Sequence, residues 1–134
     1  EGFNDESPEP SANNIVLVRL ADVMLLKAEA HAYLGQLDDA LELLNQIRRR
    51  AGLAALDEAA AASLYTDVES AILHERSIEL AFEGHRWFDL VRTGRAIPVM
   101  QPINGLSNEA NLLWPIHEDA INRNPNLVQN DFYR

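Results

Sequence analysis

The chain has 134 residues, 47% of them hydrophobic and 24% charged. That is the balance of a single globular domain with its own core, and it excludes wholesale disorder. With 11 Lys and Arg against 21 Asp and Glu, the net charge is −10, which excludes the basic footprint of a nucleic-acid binder and charge-driven attachment to anionic lipid.

There is no cysteine, so disulfides, thiol catalysis and thiolate metal sites are excluded. No apolar run approaches the ~20 residues of a membrane span, and direct membrane insertion by this segment is not expected. The acidic start Glu1-Gly2-Phe3-Asn4-Asp5-Glu6 is no secretory signal. Either the protein stays where it is made or this is a piece of a longer exported chain. Composition does not choose between them.

Residues 1–14 read as an irregular lead-in, because Pro8, Pro10, Ser11, Asn13 and Asn14 favour turns and show no apolar period. Leu17 to Leu34 reads as a helix that is apolar almost all round, so it should be covered on several sides. Gly35 ends it with the residue best suited to a left-handed helix terminus. Leu37 to Arg50 is a second helix, with Leu37, Ala40, Leu41, Leu44 and Ile47 recurring at threes and fours. Its acids Asp38 and Asp39 and its bases Arg48, Arg49 and Arg50 sit where the helix dipole favours them.

Residues 15–53 therefore form a helical hairpin. The small residues Ala28, Ala32 and Ala40 and the spacings to Gly35 and Leu44 resemble one tetratricopeptide repeat. One repeat cannot bury its own face, so its neighbours must come from elsewhere.

Residues 54–65 are compatible with a short helix or an exposed loop. Residues 66–93 form charged helices: Thr66-Asp67-Val68-Glu69 is a capping-box pattern opening a helix to about Phe82 or Glu83. Gly84 breaks or bends it, and His85 to Thr93 continues up to Gly94. Residues 95–134 show no long helical period. Pro98, Pro102, Pro115 and Pro125 and the asparagines between Asn104 and Asn130 indicate an ordered, irregular tail. A short helix fits at Glu118 to Asn122, and Leu112 to Ile116 is expected to dock the tail on the helices. The fold class is thus all-α: a tetratricopeptide-like hairpin, further helices and a tail.

The densest charge pattern lies at Glu75, Arg76, Glu79, Glu83, Arg86, Asp89 and Arg92. Carboxylates on a helix with an otherwise apolar face need partners, since an isolated buried charge is very costly. Three readings compete: a structural ion-pair network, a solvated polar face, and paired catalytic carboxylates as in glycoside hydrolysis. Charges of both signs at regular spacing, supplied by arginine, favour the first. The expected network is Arg76, Glu79, Glu83, Arg86 and Asp89, with Arg86 holding buried carboxylates.

No catalytic set, metal site or cofactor is expected. His31, His74, His85 and His117 are scattered without ligand spacing, and no glycine-rich phosphate loop or nucleophile elbow exists. Most aromatics are expected in the core. Trp114 is the one weak candidate for contact with a ligand, through stacking on a sugar ring.

In five places, in order, the sequence resembles the C-terminal part of the SusD/RagB family of outer-membrane nutrient-binding lipoproteins. Arg19-Leu20-Ala21-Asp22-Val23 leading to Ala28-Glu29-Ala30 resembles one family helix. Asn45-x-x-Arg48 with Arg50-Ala51-Gly52-Leu53 resembles the ending of the next. Glu75-Arg76-x-x-Glu79 and Phe82-Glu83-Gly84-His85-Arg86-Trp87-Phe88-Asp89-Leu90-x-Arg92 resemble the two most recognisable signatures. Pro115-Ile116 and Asn124-Pro125-Asn126-Leu127-x-Gln129-Asn130 resemble the closing tail, although His117 and Asp131-Phe132-Tyr133 depart from it.

The resemblance covers residues 15–134 and implies a non-catalytic scaffold part of a surface glycan or nutrient receptor. Such a receptor works with a TonB-dependent outer-membrane transporter and binds oligosaccharide or another nutrient through the full-length protein. It implies a place at the outer membrane as part of a longer lipidated chain. The runner-up is a free-standing tetratricopeptide-like module that binds a protein or peptide.

Overall fold

The computed structural model describes residues 16–134, so the lead-in expected over residues 1–14 lies outside the described residues. Within them the chain forms seven α-helices and two 3₁₀ turns, with no strand. The helices are α1 (Leu20–Tyr33), α2 (Leu37–Arg50), α3 (Glu58–Tyr65), α4 (Val68–Glu79), α5 (His85–Arg92), α6 (Ala96–Asn104) and α7 (Glu118–Arg123). The 3₁₀ turns are Glu109–Leu112 and Asp131–Tyr133.

The hairpin closes because both of its helices end the same way. Gly35 has φ +75; its N–H donates to Ala32 O and that of Gln36 to His31 O, which satisfies the last carbonyls of α1. Gly52 and Leu53 repeat this pattern after α2. The inner faces then meet α4. Leu25, Ala28, Ala40, Leu44 and Ile72 are fully buried, with Ala61 of α3 beside them. Ala28 and Ala40 put only methyl groups between α1 and α2, so the two helices can approach closely where the sequence places small residues.

Residues 54–65, open between helix and loop in the sequence, contain α3, with Asp57 as its cap accepting from Ala60 N at 2.7 Å. The cap of α4 is Asp67, not Thr66. Asp67 accepts from Ser70 N at 2.6 Å, whereas Thr66 turns out of the helical path at φ 87. Two capping patterns overlap by one residue here, and the carboxylate takes the position.

Helix α4 stops at Glu79, short of the expected Phe82. Leu80 is buried, and a turn from it to Gly84 leads into α5. Phe82, in that turn, holds φ 67 and is fully exposed. A left-handed conformation is strained for a bulky side chain.

The tail holds more helix than its prolines suggested. Pro98 sits in the first turn of α6, where a backbone N–H has no intrahelical partner to lose, so only Pro102 removes a bond. Beyond α6 the chain is fastened by amides. Gln129 Nε2 donates to Ile116 O at 2.8 Å, Ile116 N donates back to Gln129 Oε1 at 2.9 Å, and Asn130 Nδ2 donates to Trp114 O.

The expectation that most aromatics are core is overturned. Phe88 and Trp114 are 71% and 79% exposed, and Tyr33, Phe82, Phe132 and Tyr133 are exposed as well. Nor does Leu112 to Ile116 bury itself: Leu113 and Trp114 face outward.

Because a Cβ at Gly35 would meet no atom within 4 Å, the cost of Gly35→Ala is purely that of the left-handed backbone. Loss of about 1–2 kcal/mol is expected in urea unfolding. A neutral result would show that the α1 terminus relaxes into another turn.

Candidate functional site

Helices α1, α2, α4 and α5 carry the chemistry-bearing side chains toward one another, and their core is charged as well as apolar. Arg76, near the C-terminal end of α4, is buried among three helices. Its Nε donates to Asp89 Oδ2 of α5 at 2.9 Å, and its Nη1 lies 2.9 Å from Asp22 Oδ1 of α1. That second contact is a charge contact, not an aligned hydrogen bond: Nη1 points to Asp22 O at 3.3 Å, leaving Asp22 Oδ1 without a hydrogen-bond partner. All three side chains are 7% exposed or less.

A second fork closes the other side of Asp89. Arg92 Nε and Nη2 reach Asp89 Oδ1 at 3.0 and 2.7 Å, and Nη2 also reaches Glu29 Oε2 of α1 at 2.7 Å. The hydrogen bond to Glu29, joined by that to Asp89, raises the guanidinium pKa against the opposing effect of burial. Between α2 and α4, Arg48 Nη1 meets buried Glu75 at 2.9 Å, and its Nε caps Ala54 O at 2.9 Å. Beside it the Asn45 amide exchanges two 2.8 Å hydrogen bonds with the backbone of Leu56, tying the post-hairpin loop to α2.

The last group surrounds the end of α4. Arg19, just ahead of α1, donates to Glu79 Oε1 at 2.9 Å, to Glu79 O at 2.7 Å and to both carboxylate oxygens of Glu83. Arg50 also pairs with Glu79. Burial pushes the Glu79 carboxyl up, but the hydrogen bonds from Arg50 and Arg19 outweigh it and hold the pKa below the ordinary carboxylate value. Glu83 is lowered chiefly by its hydrogen bond from Arg19. Arg19 is raised in turn by Glu83 and Glu79.

Of the residues singled out from the sequence, the structure brings Arg76 and Asp89 together and gives Glu79 and Glu83 a shared partner. It does not bring Arg86 in. Arg86 is exposed, reaches only Leu73 O at 3.4 Å, and pairs with no carboxylate among the described residues. Helix α5 sets both Asp89 and Arg86 against α4, but Arg86 meets the Leu73 carbonyl there and not an acid, so the expected buried role of Arg86 is corrected.

The partners that sequence reasoning left out are Arg19, Asp22, Glu29, Arg48 and Arg50. Asp22 had a signal: it shares a face of α1 with Leu25 and Glu29, at the edge of the apolar stripe. Arg19 had none, because its acids lie 60 and 64 positions away.

Trp114 lines a small depression together with Trp87, Asn111, Leu113, Pro115 and Tyr133. No group of His, Cys, Asp and Glu among the described residues has the arrangement of a metal site. No helix among them is long and apolar enough to cross a membrane. The buried carboxylates Asp22, Glu75 and Asp89 all face guanidinium groups, an arrangement suited to fastening helices.

Removing the central cation leaves Asp22 and half of Asp89 uncompensated. Arg76→Ala should therefore cost about 3–5 kcal/mol in urea unfolding, whereas Arg86→Ala should change stability by less than about 0.5 kcal/mol. Equal effects would mean that burial of Arg76 contributes nothing special.

Glu79 and Glu83 also set a pH dependence. A carboxyl with a folded pKa below its unfolded one, about 4.3 for Glu, contributes fully above the unfolded value. That contribution is lost as pH falls through the folded value. Arg19→Gln should accordingly destabilise the chain at neutral pH, and the gap to wild type should narrow on acidification toward about pH 3. A gap independent of pH, read by denaturant titration, would remove Arg19 as the source.

Comparison with known proteins places this geometry. The SusD family matches over residues 3–133. The chain is 43% identical over 129 residues to SusD-like protein P38 of Formosa agariphila, covering 92% of this chain and 25% of that protein. Among solved structures it superposes on BT4246 with a TM-score of 0.73 at 26% identity, covering 87% of this chain and 23% of that one. It superposes on a SusD-like protein from Bacteroides fragilis NCTC 9343 with a TM-score of 0.70 at 27% identity, covering 92% and 27%. The chain thus spans about a quarter of the length of the relatives it matches, and it belongs to the SusD family.

Proposed function

We propose that this chain is a non-catalytic scaffold part of a surface receptor for glycans or other nutrients. In this reading the receptor sits at the outer membrane and hands its ligand to a TonB-dependent transporter. Family membership supports the receptor class. The observation that carries the scaffold role is the pairing pattern: Asp22, Glu75 and Asp89 are buried against arginines that bridge separate helices. Buried carboxylates paired with arginine fix helix register and are shielded from solvent by the helices around them. Ligand capture then belongs to the remainder of the longer protein, and this quarter holds its helices in register.

Trp114 is the residue whose behaviour discriminates. Its indole is 79% exposed and lies in a depression with Trp87 and Tyr133, and exposed aromatic faces suit stacking on a pyranose ring. If the role is scaffolding alone, titration calorimetry of the isolated chain with oligosaccharides should show no saturable heat. Saturable binding that disappears in Trp114→Ala would overturn the scaffold assignment and locate a sugar site in the tail.

A further inference from the structure

A cleft of about 110 Å³ lies between α4, α5 and α6. Four of the side chains that line it can donate hydrogen bonds: Ser70 and His74, one turn apart on α4, Arg86 on α5, and Arg95 at the cap of α6. Leu73, Leu90 and Val99 complete the walls, and apolar walls strengthen any charge interaction made between them.

We propose that this cleft binds one small oxyanion of the sulfate or phosphate class. Three observations point to that ligand. First, Arg86 has a charge to spare. Its hydrogen bond to Leu73 O is long, at 3.4 Å, and it pairs with no carboxylate among the described residues. A guanidinium carries five N–H donors in a fork that matches an oxyanion, so most of the Arg86 fork is open to one.

Second, the other charges at the cleft are committed. Asp89 also lines it, but its Oδ2 accepts from Arg76 and its Oδ1 from Arg92. Arg95 is anchored to α4, with Nη1 donating to Ser70 Oγ at 2.9 Å and Nη2 to Glu69 Oε1 at 3.1 Å. His74 is held against Tyr65, ring centroids 4.9 Å apart. The donors are therefore positioned by the fold before any ion arrives, which lowers the cost of binding.

Third, the size selects. A water molecule takes about 30 Å³ of liquid, so the cleft has room for roughly three or four waters or for one tetrahedral oxyanion. Pockets for larger organic ligands start at about 300 Å³. An ion held there would tie α4 to α5 and α6 and give Arg86 the counter-charge that the other helices do not supply. The inference rests on the cleft alone and does not depend on what the receptor binds.

The test is equilibrium dialysis with radiolabelled sulfate at constant ionic strength, on the protein as encoded and on the 134-residue chain. Saturable binding is expected in both, with phosphate competing. Arg86→Gln should weaken it about tenfold or more, the effect of losing a hydrogen bond from a charged group. The control is Arg123→Gln. Arg123, in α7 outside the cleft, is the other arginine with no carboxylate partner among the described residues, and its loss should leave binding unchanged.

Equal weakening in the two variants would reveal a diffuse charge effect and overturn the proposal, as would wild-type protein that shows no saturable binding. Binding by the 134 residues that vanishes in the protein as encoded overturns it too, because another group then fills the cleft. Competition by glucose 6-sulfate as well as phosphate would extend the class to oxyanions carried on a sugar, and competition by phosphate alone limits it to the free ion; the oxyanion site stands in either case. If Arg86→Gln fails to fold, phenylglyoxal modification of the wild-type protein decides by mass spectrometry. Sulfate should slow the reaction at Arg86 and not at Arg123, and equal rates at Arg86 with and without sulfate overturn the site.

Discussion

A guanidinium with almost no access to water holds this structure in register. Arg76 leaves α4 and ends between Asp22 of α1 and Asp89 of α5, so three helices share one cation. Each of these ions gave up hydration worth several kcal/mol, and only close opposite charge with satisfied hydrogen bonds compensates for that. A buried pair of this kind adds little net stability over an apolar substitute. What it does is forbid alternatives: sliding α4 by one residue would turn Arg76 away from both acids and leave two carboxylates alone in the interior. Asp89 depends on the same constraint from its other side, because Arg92 spans from its second oxygen to Glu29 and returns the network to α1.

The arginine bias follows from this geometry. Ten of the 11 basic residues are arginine, and all but Arg86 and Arg123 reach a carboxylate among the described residues. A planar fork with several donors can serve a carboxylate and a carbonyl at once, which an ammonium group does less well. Arg48 does so with Glu75 and Ala54 O, and Arg19 with Glu83 and Glu79 O. The chain is strongly acidic, yet its interior charges are balanced locally, and the excess negative charge lies on the surface.

Helices α1 and α2 could be read from the sequence because local signals agree there: a period of three to four, small residues at the contact and glycine beyond each end. Agreement failed where two signals competed over one place. Thr66 and Asp67 both offer a cap, and only the fold decides between them. Pro98 and Pro102 obscured α6, since a proline in the first turn costs a helix nothing and looks the same in sequence as one that breaks it. Within the network, Arg76 and Asp89 could be anticipated because one bend at Gly84 separates them. Arg19 could not, because the meeting of the start of α1 with the end of α4 is a tertiary event. Arg86 misled because a regular spacing of charges does not say which of them ends against an acid: Arg86 meets the Leu73 carbonyl of α4 instead.

The exposed aromatics have the same origin, and they bear on what the segment is. Soluble domains bury apolar side chains and expose charged ones. Here Arg76, Asp22, Asp89 and Glu75 are inside, while Leu34, Phe82, Phe88 and Trp114 are outside. The two halves of this inversion have one explanation if the helices are a wall of a larger core. A wall must keep its own helices in register without using up the apolar faces it presents to its neighbours. Ion pairs between helices do this, because they fix geometry from within and leave the exposed apolar side chains available. Polar fastening inside and apolar surface outside are then a single arrangement, in which Arg76 holds the frame.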